Sequence, residues 1–273
     1  MTDPRAATDQ WEAMAPRWER GRELLWRGTK PVSEWLVAHL DAQPGQTILE
    51  LAAGAGETGF LAAPALGPEG RLITSDREPG MVDVARRVAE EQGVTNAEFR
   101  VLDAVRLDLA DASVDGVLNR FGYILKGTPP PALAEIRRVL RPGGTLAFSV
   151  WAARERNPWM TVPADAMVAR GHLPPQTDDE IRLSARRNPE TIARLLAEAG
   201  FAEPEVEELE VAYRFADREE LWFFVSELRG PVALALADLS EAERAAVRAE
   251  IESRAAAPTG FELGGVSLNL ATR

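Results

Sequence analysis

The chain has no cysteine, and among its 273 residues only two lysines, two histidines and two tyrosines. Without cysteine there are no disulfides, thiolate metal sites or cysteine nucleophiles, which fits a cytoplasmic setting. No run of about 18 apolar residues occurs, so no membrane-spanning helix is expected. The first residues, MTDPRAATDQWEAM, lack a basic start followed by an apolar stretch, so no secretory signal is expected. No basic stripe offsets the formal net charge of −12, which argues against nucleic acid or an anionic membrane as partner. Metal-ligand spacings, internal repeats and low-complexity tails are also absent. The basic residues are nearly all arginine and alanine is abundant, a bias of coding and not of chemistry.

What is present suits a globular protein. Hydrophobic content of 45% and charged content of 27% are ordinary for one, and the length fits one large domain or a core with additions. The most informative stretch is Ile48–Phe60, ILELAAGAGETGF. An apolar run ends in Glu50, gives way to small residues, and passes into a helical pattern from Thr58. This is strand, glycine turn, helix, the opening unit of a doubly wound α/β domain. Gly54 and Gly56 let backbone approach a ligand and adopt positive φ without strain. Two ligand classes compete for the turn. Gly54, Gly56 and Gly59 spell G-x-G-x-x-G, a dinucleotide fingerprint that is weak alone. The other pattern is E/D-x-G-x-G-x-G, read as Glu50, Ala52, Gly54 and Gly56. Glu50 favours the second, because an acid at the strand end opposes a pyrophosphate but suits a cationic ligand.

Residues 9–40 read as one or two helices, interrupted at Pro16, Gly28 and Pro31. His39 falls near their end, as a helix-terminal or surface residue. Strand two, from Arg71, ends at Asp76, an acid 20 residues beyond Gly56, the spacing at which a strand-two carboxylate accepts from ribose hydroxyls. A helix follows from Pro79. Strand three runs from Ala97 and ends at Asp103-Ala104. Strand four runs from Val114 to Asn119-Arg120-Phe121. A helix from Pro131 stops at Arg141-Pro142-Gly143-Gly144, and strand five is Thr145–Trp151. Alternating strands and helices imply a parallel sheet. Residues 152–188 are too long for a plain connection and read as a surface insertion or, preferably, an active-site lid. A helix from Pro189, an acidic strand from Glu203, helical periods over 218–256 and a final strand from Phe261 complete the chain.

Across residues 45–151 the sequence resembles class I S-adenosylmethionine-dependent methyltransferases, of the type common in quinone and natural-product biosynthesis. ELAAGAG, SDREPGMVDVAR, VLDA, NRF and EIRRVLRPGGTLAFSVW carry the likeness together; Ala52 departs from the family's usual first glycine. No Tyr-x-x-x-Lys pair supports a nicotinamide oxidoreductase, since Tyr123 and Lys126 are three apart.

The resemblance implies a Rossmann-like seven-stranded sheet, parallel with one antiparallel strand, in a single domain 1–273. Its parts are an N-terminal helical cap (1–44), a cofactor-binding core (45–151), a lid insertion (152–188) and the C-terminal half (189–273). It also implies S-adenosylmethionine as cofactor and S-adenosylhomocysteine as product, while Trp159, Met160, Val162 and Met167 in the insertion suggest an apolar or aromatic small-molecule acceptor. A homodimer is left open. Asp76 would hold the ribose, and Met81 with Arg77 would pack the adenine. Asp103 and the Ala104 backbone would read the adenine edge. Glu50, Ala52 and the Gly54–Gly56 backbone would orient the methionine part, with Asn119 and Arg120 contributing backbone contacts below it and Phe121 walling the methyl channel. No catalytic residue is assigned. His172 leads the candidates for a general base, ahead of His39, Tyr123 and Glu57, and the reaction needs a base only for some acceptors. Two other readings stay open: a methyltransferase-fold protein with a non-methylating reaction or a binding role, and, more remotely, the oxidoreductase.

Overall fold

The computed structural model describes residues 4–122, 124–125, 130–177 and 187–273, with side chains from residue 14 onward. Tyr123 and Lys126 lie outside them. The chain divides into two compact units. One comprises Met1–Thr29, Trp151–Arg187 and Glu210–Val266; the other comprises Lys30–Val150, Asn188–Leu209 and Ser267–Arg273. This division cuts across the four parts drawn from the sequence. Segment 152–177 shares its unit with the first half of the N-terminal helix and with residues 210–266.

The sheet falls mainly in the second unit. Its strands are β1 (Thr47–Leu51), β2 (Arg71–Asp76), β3 (Ala97–Val101), β4 (Val114–Arg120) and β5 (Leu140–Trp151), followed by β6 (Glu205–Phe215), β7 (Ala256–Ala257) and β8 (Gly260–Thr272). The order is β3-β2-β1-β4-β5-β8-β6, with short β7 pairing antiparallel to β8. β1 runs parallel to both β2 and β4, β2 to β3, and β4 to β5. The expected Rossmann-like sheet is therefore present, with β7 as an eighth strand. The strand order reverses between β1 and β4, so a crevice opens beyond their carboxyl ends. The central strands are buried on both faces, as parallel strands flanked by helices must be.

Helices α2 (Glu57–Ala62), α3 (Pro79–Gln92) and α4 (Pro131–Val139) connect these strands. β5 begins directly at Leu140, earlier than expected, and absorbs the Arg-Pro-Gly-Gly run with a register shift against β4. Gly143 permits this with a φ of 81°. The arginines of this motif do structural work. Arg138 donates to the Leu107 and Leu109 carbonyls (both 2.8 Å) and pairs with Glu135 and Asp111, tying the β3–β4 connection to α4. Arg141 pairs with Asp115, which also accepts from the Thr47 amide at 2.8 Å.

The N-terminal run forms one helix, α1 (Pro4–Leu40), uninterrupted at Pro16, Gly28 or Pro31. A proline deletes one helix hydrogen bond, and tertiary packing of both halves compensates. Val32, Leu36 and Leu40 are buried in the sheet unit. In the other unit, the Leu228 side chain and the Tyr213 ring sit where Cβ atoms on Gly21 and Gly28 would be. His39 ends α1, its ring stacked on Trp35 at 3.7 Å.

The other unit carries α5 (Pro158–Ala169), α7 (Arg218–Phe223), a π turn at Phe224–Leu228, α8 (Pro231–Ala237) and α9 (Glu241–Ala255); α6 (Pro189–Glu198) belongs to the sheet unit. Asn157, fully buried, organises this unit. Its amide donates to the Ala152 and Ala153 carbonyls (3.1 and 3.0 Å), and its oxygen accepts from the Trp159 indole and the Val266 amide (3.2 and 3.1 Å). Trp159 packs against Trp151 (4.5 Å between ring centroids), Tyr213 (5.8 Å) and the Arg229 guanidinium (4.2 Å). It is a fixed anchor of its unit. The Ser240 hydroxyl and amide hold the Glu243 carboxyl below the usual range, with a smaller contribution from His172.

Candidate cofactor site

β1 delivers its chain end into a turn built on left-handed backbone. Ala52, Gly54 and Gly56 have φ of 51°, 57° and 81°. The glycines adopt this without strain, whereas Ala52 pays about 1–2 kcal/mol for its Cβ. The departure from the family's first glycine is thus a strained residue in the glycine's conformation. Across the crevice, Phe121 at the end of β4 is also left-handed, with φ 63°, held by its amide bond to the Ser149 carbonyl (3.0 Å). Gly122 beside it has no room for a side chain, since a Cβ would collide with Asn119 and Ala52.

Asp76 reaches this turn from β2. Its Oδ2 accepts from the Gly54 amide (3.0 Å) and its Oδ1 from the Glu78 amide (3.1 Å). The carboxylate therefore fixes the glycine turn and the start of α3, beyond the ribose role expected. The carboxylate has lone-pair capacity left for a ligand hydroxyl. Burial raises its pKa, against the lowering effect of these amides. Met81 on α3 is buried, and its Cε lies 3.7 Å from where a Cβ on Gly54 would be, so it backs the turn.

Arg77, expected against adenine, is half-exposed and gives both Nε (3.0 Å) and Nη2 (2.9 Å) to Glu78 Oε1. Glu78 is 3% exposed and escaped sequence reasoning, because an acid before Pro79 reads as a solvated helix start. Asp103 is exposed and accepts from the Val105 amide (3.1 Å), closing the turn through Ala104. Asn119 is buried and donates to the Leu51 carbonyl (2.8 Å), joining the ends of β4 and β1.

Glu50 is the most perturbed group. It is 2% exposed, accepts the Gly59 amide on Oε1 (2.9 Å), and has no hydrogen-bond partner at Oε2. Burial pushes its pKa up to about 8, opposed by the Gly59 amide and by Arg120 and reinforced by Glu57 and Asp76. Arg120 and Glu57 form an ion pair at 3.7 Å, both largely buried. The Arg120 side chain thus enters the site's electrostatics, where only its backbone was expected to matter. Its position two residues after Leu118, which pairs with Glu50, puts it on Glu50's face of the sheet.

Glu50, Ala52, Gly54, Gly56, Asp76, Met81, Asn119, Arg120 and Phe121 gather along β1, β2 and β4, at or beside their carboxyl ends. The buried acids suit a cationic, hydroxyl-bearing ligand such as S-adenosylmethionine. Among the described residues no group of histidines and acids could hold a metal ion, and no helix is long and apolar enough to cross a membrane.

A family model described as a methyltransferase domain matches residues 48–144. The ubiquinone/menaquinone biosynthesis C-methyltransferase of Acidiphilium cryptum is 32% identical over 202 residues, 70% of this chain and 80% of that protein. The arsenite methyltransferase of Halobacterium salinarum is 39% identical over 106 residues, 39% of this chain, and the match spans only 27% of that protein. In fold, the YcgJ protein of Bacillus subtilis matches with a TM-score of 0.58 at 17% identity, over 89% of this chain and 97% of its own. The cyclase SpnF matches with 0.53 at 18% identity, over 89% and 80%. The turn, the strand order and the relative from Acidiphilium agree: the chain belongs to the class I S-adenosylmethionine-dependent methyltransferases.

Proposed function

We propose that the chain transfers a methyl group from S-adenosylmethionine to a small apolar or aromatic metabolite. The observation that carries this is the Ala52–Gly56 turn, its Gly54 amide pinned by Asp76 above the buried Glu50. Bound there, the cofactor supplies an activated methyl on a sulfonium. Asp76 would take the ribose hydroxyls through its remaining lone pairs. Met81 and Arg77 would flank the adenine, with Asp103 and Ala104 at its edge. Glu50, Asn119 and the turn amides would orient the methionine part, and Phe121 would border the methyl's path. The chain then needs mainly to align the acceptor and exclude water, and alignment alone supplies roughly 7–11 kcal/mol of the barrier. The name of the Acidiphilium relative makes a quinone-type ring the first acceptor class to try. Acceptor choice is assigned to residues 152–188 and the N-terminal helix.

Thermal-shift titration tests the first half. S-adenosylmethionine or S-adenosylhomocysteine should raise the melting temperature through binding to the folded state; equal stabilisation by NAD would refute it. Incubation with an acceptor panel, scored by S-adenosylhomocysteine release, tests the second. Tight cofactor binding with turnover of no acceptor would reassign the chain to a non-methylating or binding role.

A further inference from the structure

Glu50 sits within a small group of charges that is short of cations. Among the described residues, the charged side chains acting on it are Glu57 from α2, Asp76 from β2 and Arg120 from β4. Arg120 is already engaged by Glu57, so an ionised Glu50 would leave two uncompensated carboxylates in the buried end of the crevice. Its surroundings do little to hold that charge. One amide, from Gly59, reaches Oε1, while Oε2 faces the bare Gly59 Cα, 2.4 Å from where a Cβ there would stand, with no donor. Buried carboxylates so placed keep their proton, and give it up when a cation arrives. The two forms of the cofactor differ in that respect. S-adenosylmethionine carries a sulfonium and an ammonium against one carboxylate; S-adenosylhomocysteine has lost the sulfonium charge.

We propose that binding of S-adenosylmethionine expels a proton from Glu50 and binding of S-adenosylhomocysteine does not, so that this carboxyl sets the preference for the charged cofactor over its product. The inference rests on the functional reading above and adds a selectivity to the same site. Loading the cofactor forms the Glu50 carboxylate and releases one proton to solvent; methyl transfer removes the sulfonium charge, and Glu50 regains a proton in the product complex, so the product leaves with no further proton change. By linkage, affinity for S-adenosylmethionine then climbs about tenfold per pH unit below the apo titration of Glu50 and levels off above it. Product affinity changes less than about twofold over the same range.

Isothermal titration calorimetry of the full chain at pH 7.0, in two buffers of contrasting ionisation enthalpy, reads the proton directly. About one proton should be released per S-adenosylmethionine bound and close to none per S-adenosylhomocysteine. Glu50→Gln keeps the acceptor for the Gly59 amide and should abolish the release. Release that persists in Glu50→Gln would move the proton to Asp76 and overturn the proposal. So would wild-type binding without release, or equal pH dependence for both molecules, neither of which needs the variant. Failure of the wild type to bind either molecule would refute the functional reading itself, a result distinct from binding without release.

Discussion

Replacing Glu50 by glutamine should stabilise the unliganded protein, and only at higher pH. In the unfolded chain this carboxyl titrates near 4.5; in the folded protein burial pushes it to about 8. Below the first value both states are protonated and the native protein loses nothing. Between the two, the unfolded chain sheds its proton while the native state holds it, so stability falls as pH rises; above about 8 the loss is complete. The rise from 4.5 to about 8 corresponds to a ceiling of roughly 5 kcal/mol, at about 1.4 kcal/mol per pH unit. Local relaxation around a buried charge reduces this to about 2–4 kcal/mol. Glutamine occupies the same space, accepts the Gly59 amide and carries no titrating proton. Urea denaturation at pH 5.0, 7.0 and 8.5, at fixed ionic strength, should show the two proteins nearly equal at the lowest pH and the variant ahead by that margin at the highest. The raised pKa of Asp76 acts with the same sign in both, so the difference between the profiles isolates Glu50. Parallel profiles would refute the reasoning.

Asp76→Ala should lower S-adenosylmethionine affinity by about a hundredfold or more, from two lost hydrogen bonds to a charged acceptor. Because Gly54 and Glu78 also lose their acceptor, stability should drop by about 1–3 kcal/mol; calorimetry and denaturation read the two effects, and unchanged affinity would leave Asp76 a purely structural acid. Ala52→Gly removes the strain of a left-handed alanine and should raise stability by about 0.5–1 kcal/mol after the unfolded-state entropy of glycine is counted; a lower urea midpoint would show that the methyl contributes more than it strains. Arg138→Lys should lower the urea midpoint, because a single ammonium cannot span two carbonyls and two carboxylates; a wild-type midpoint would contradict the clamp. Met160→Ala, in the segment assigned to acceptor choice, should alter which acceptors are turned over while cofactor affinity stays within about twofold of wild type; a collapse of cofactor affinity would place that segment with the cofactor.

The strand-turn-helix unit was legible because its determinants are local: an apolar run, then glycines, then helical spacing. The parallel sheet followed from the alternation of elements, and Asp76 from its distance beyond Gly56. What the sequence concealed depends on approach through space. That Asp76 pins the Gly54 amide requires β2 to lie beside β1. Glu78 looks like any acid at a helix start, and its burial comes from the packing around α3. Ala52 was visible as a departure, but the sign of its φ was not. Pro16 and Pro31 misled in the opposite direction, since a local rule for breaking helices yielded to burial of both halves of α1. Arg138 belonged to a recognised motif whose structural work appears only once the β3–β4 connection folds against α4.

The division into two units sorts the chain's fluorophores unevenly. Six of the seven tryptophans fall in the unit containing Asn157, and the sheet unit has only Trp35. Indole emission therefore reports mainly on one unit, with Trp151 and Trp159 close enough to couple optically. Trp35, stacked on His39 and bonded to Glu207, gives the sheet unit a single quenchable signal that Trp35→Phe would remove. Emission followed beside the circular dichroism of the backbone compares the two units in one sample. Coincident melting curves would mean one cooperative transition, and separated curves would mean that each unit unfolds on its own.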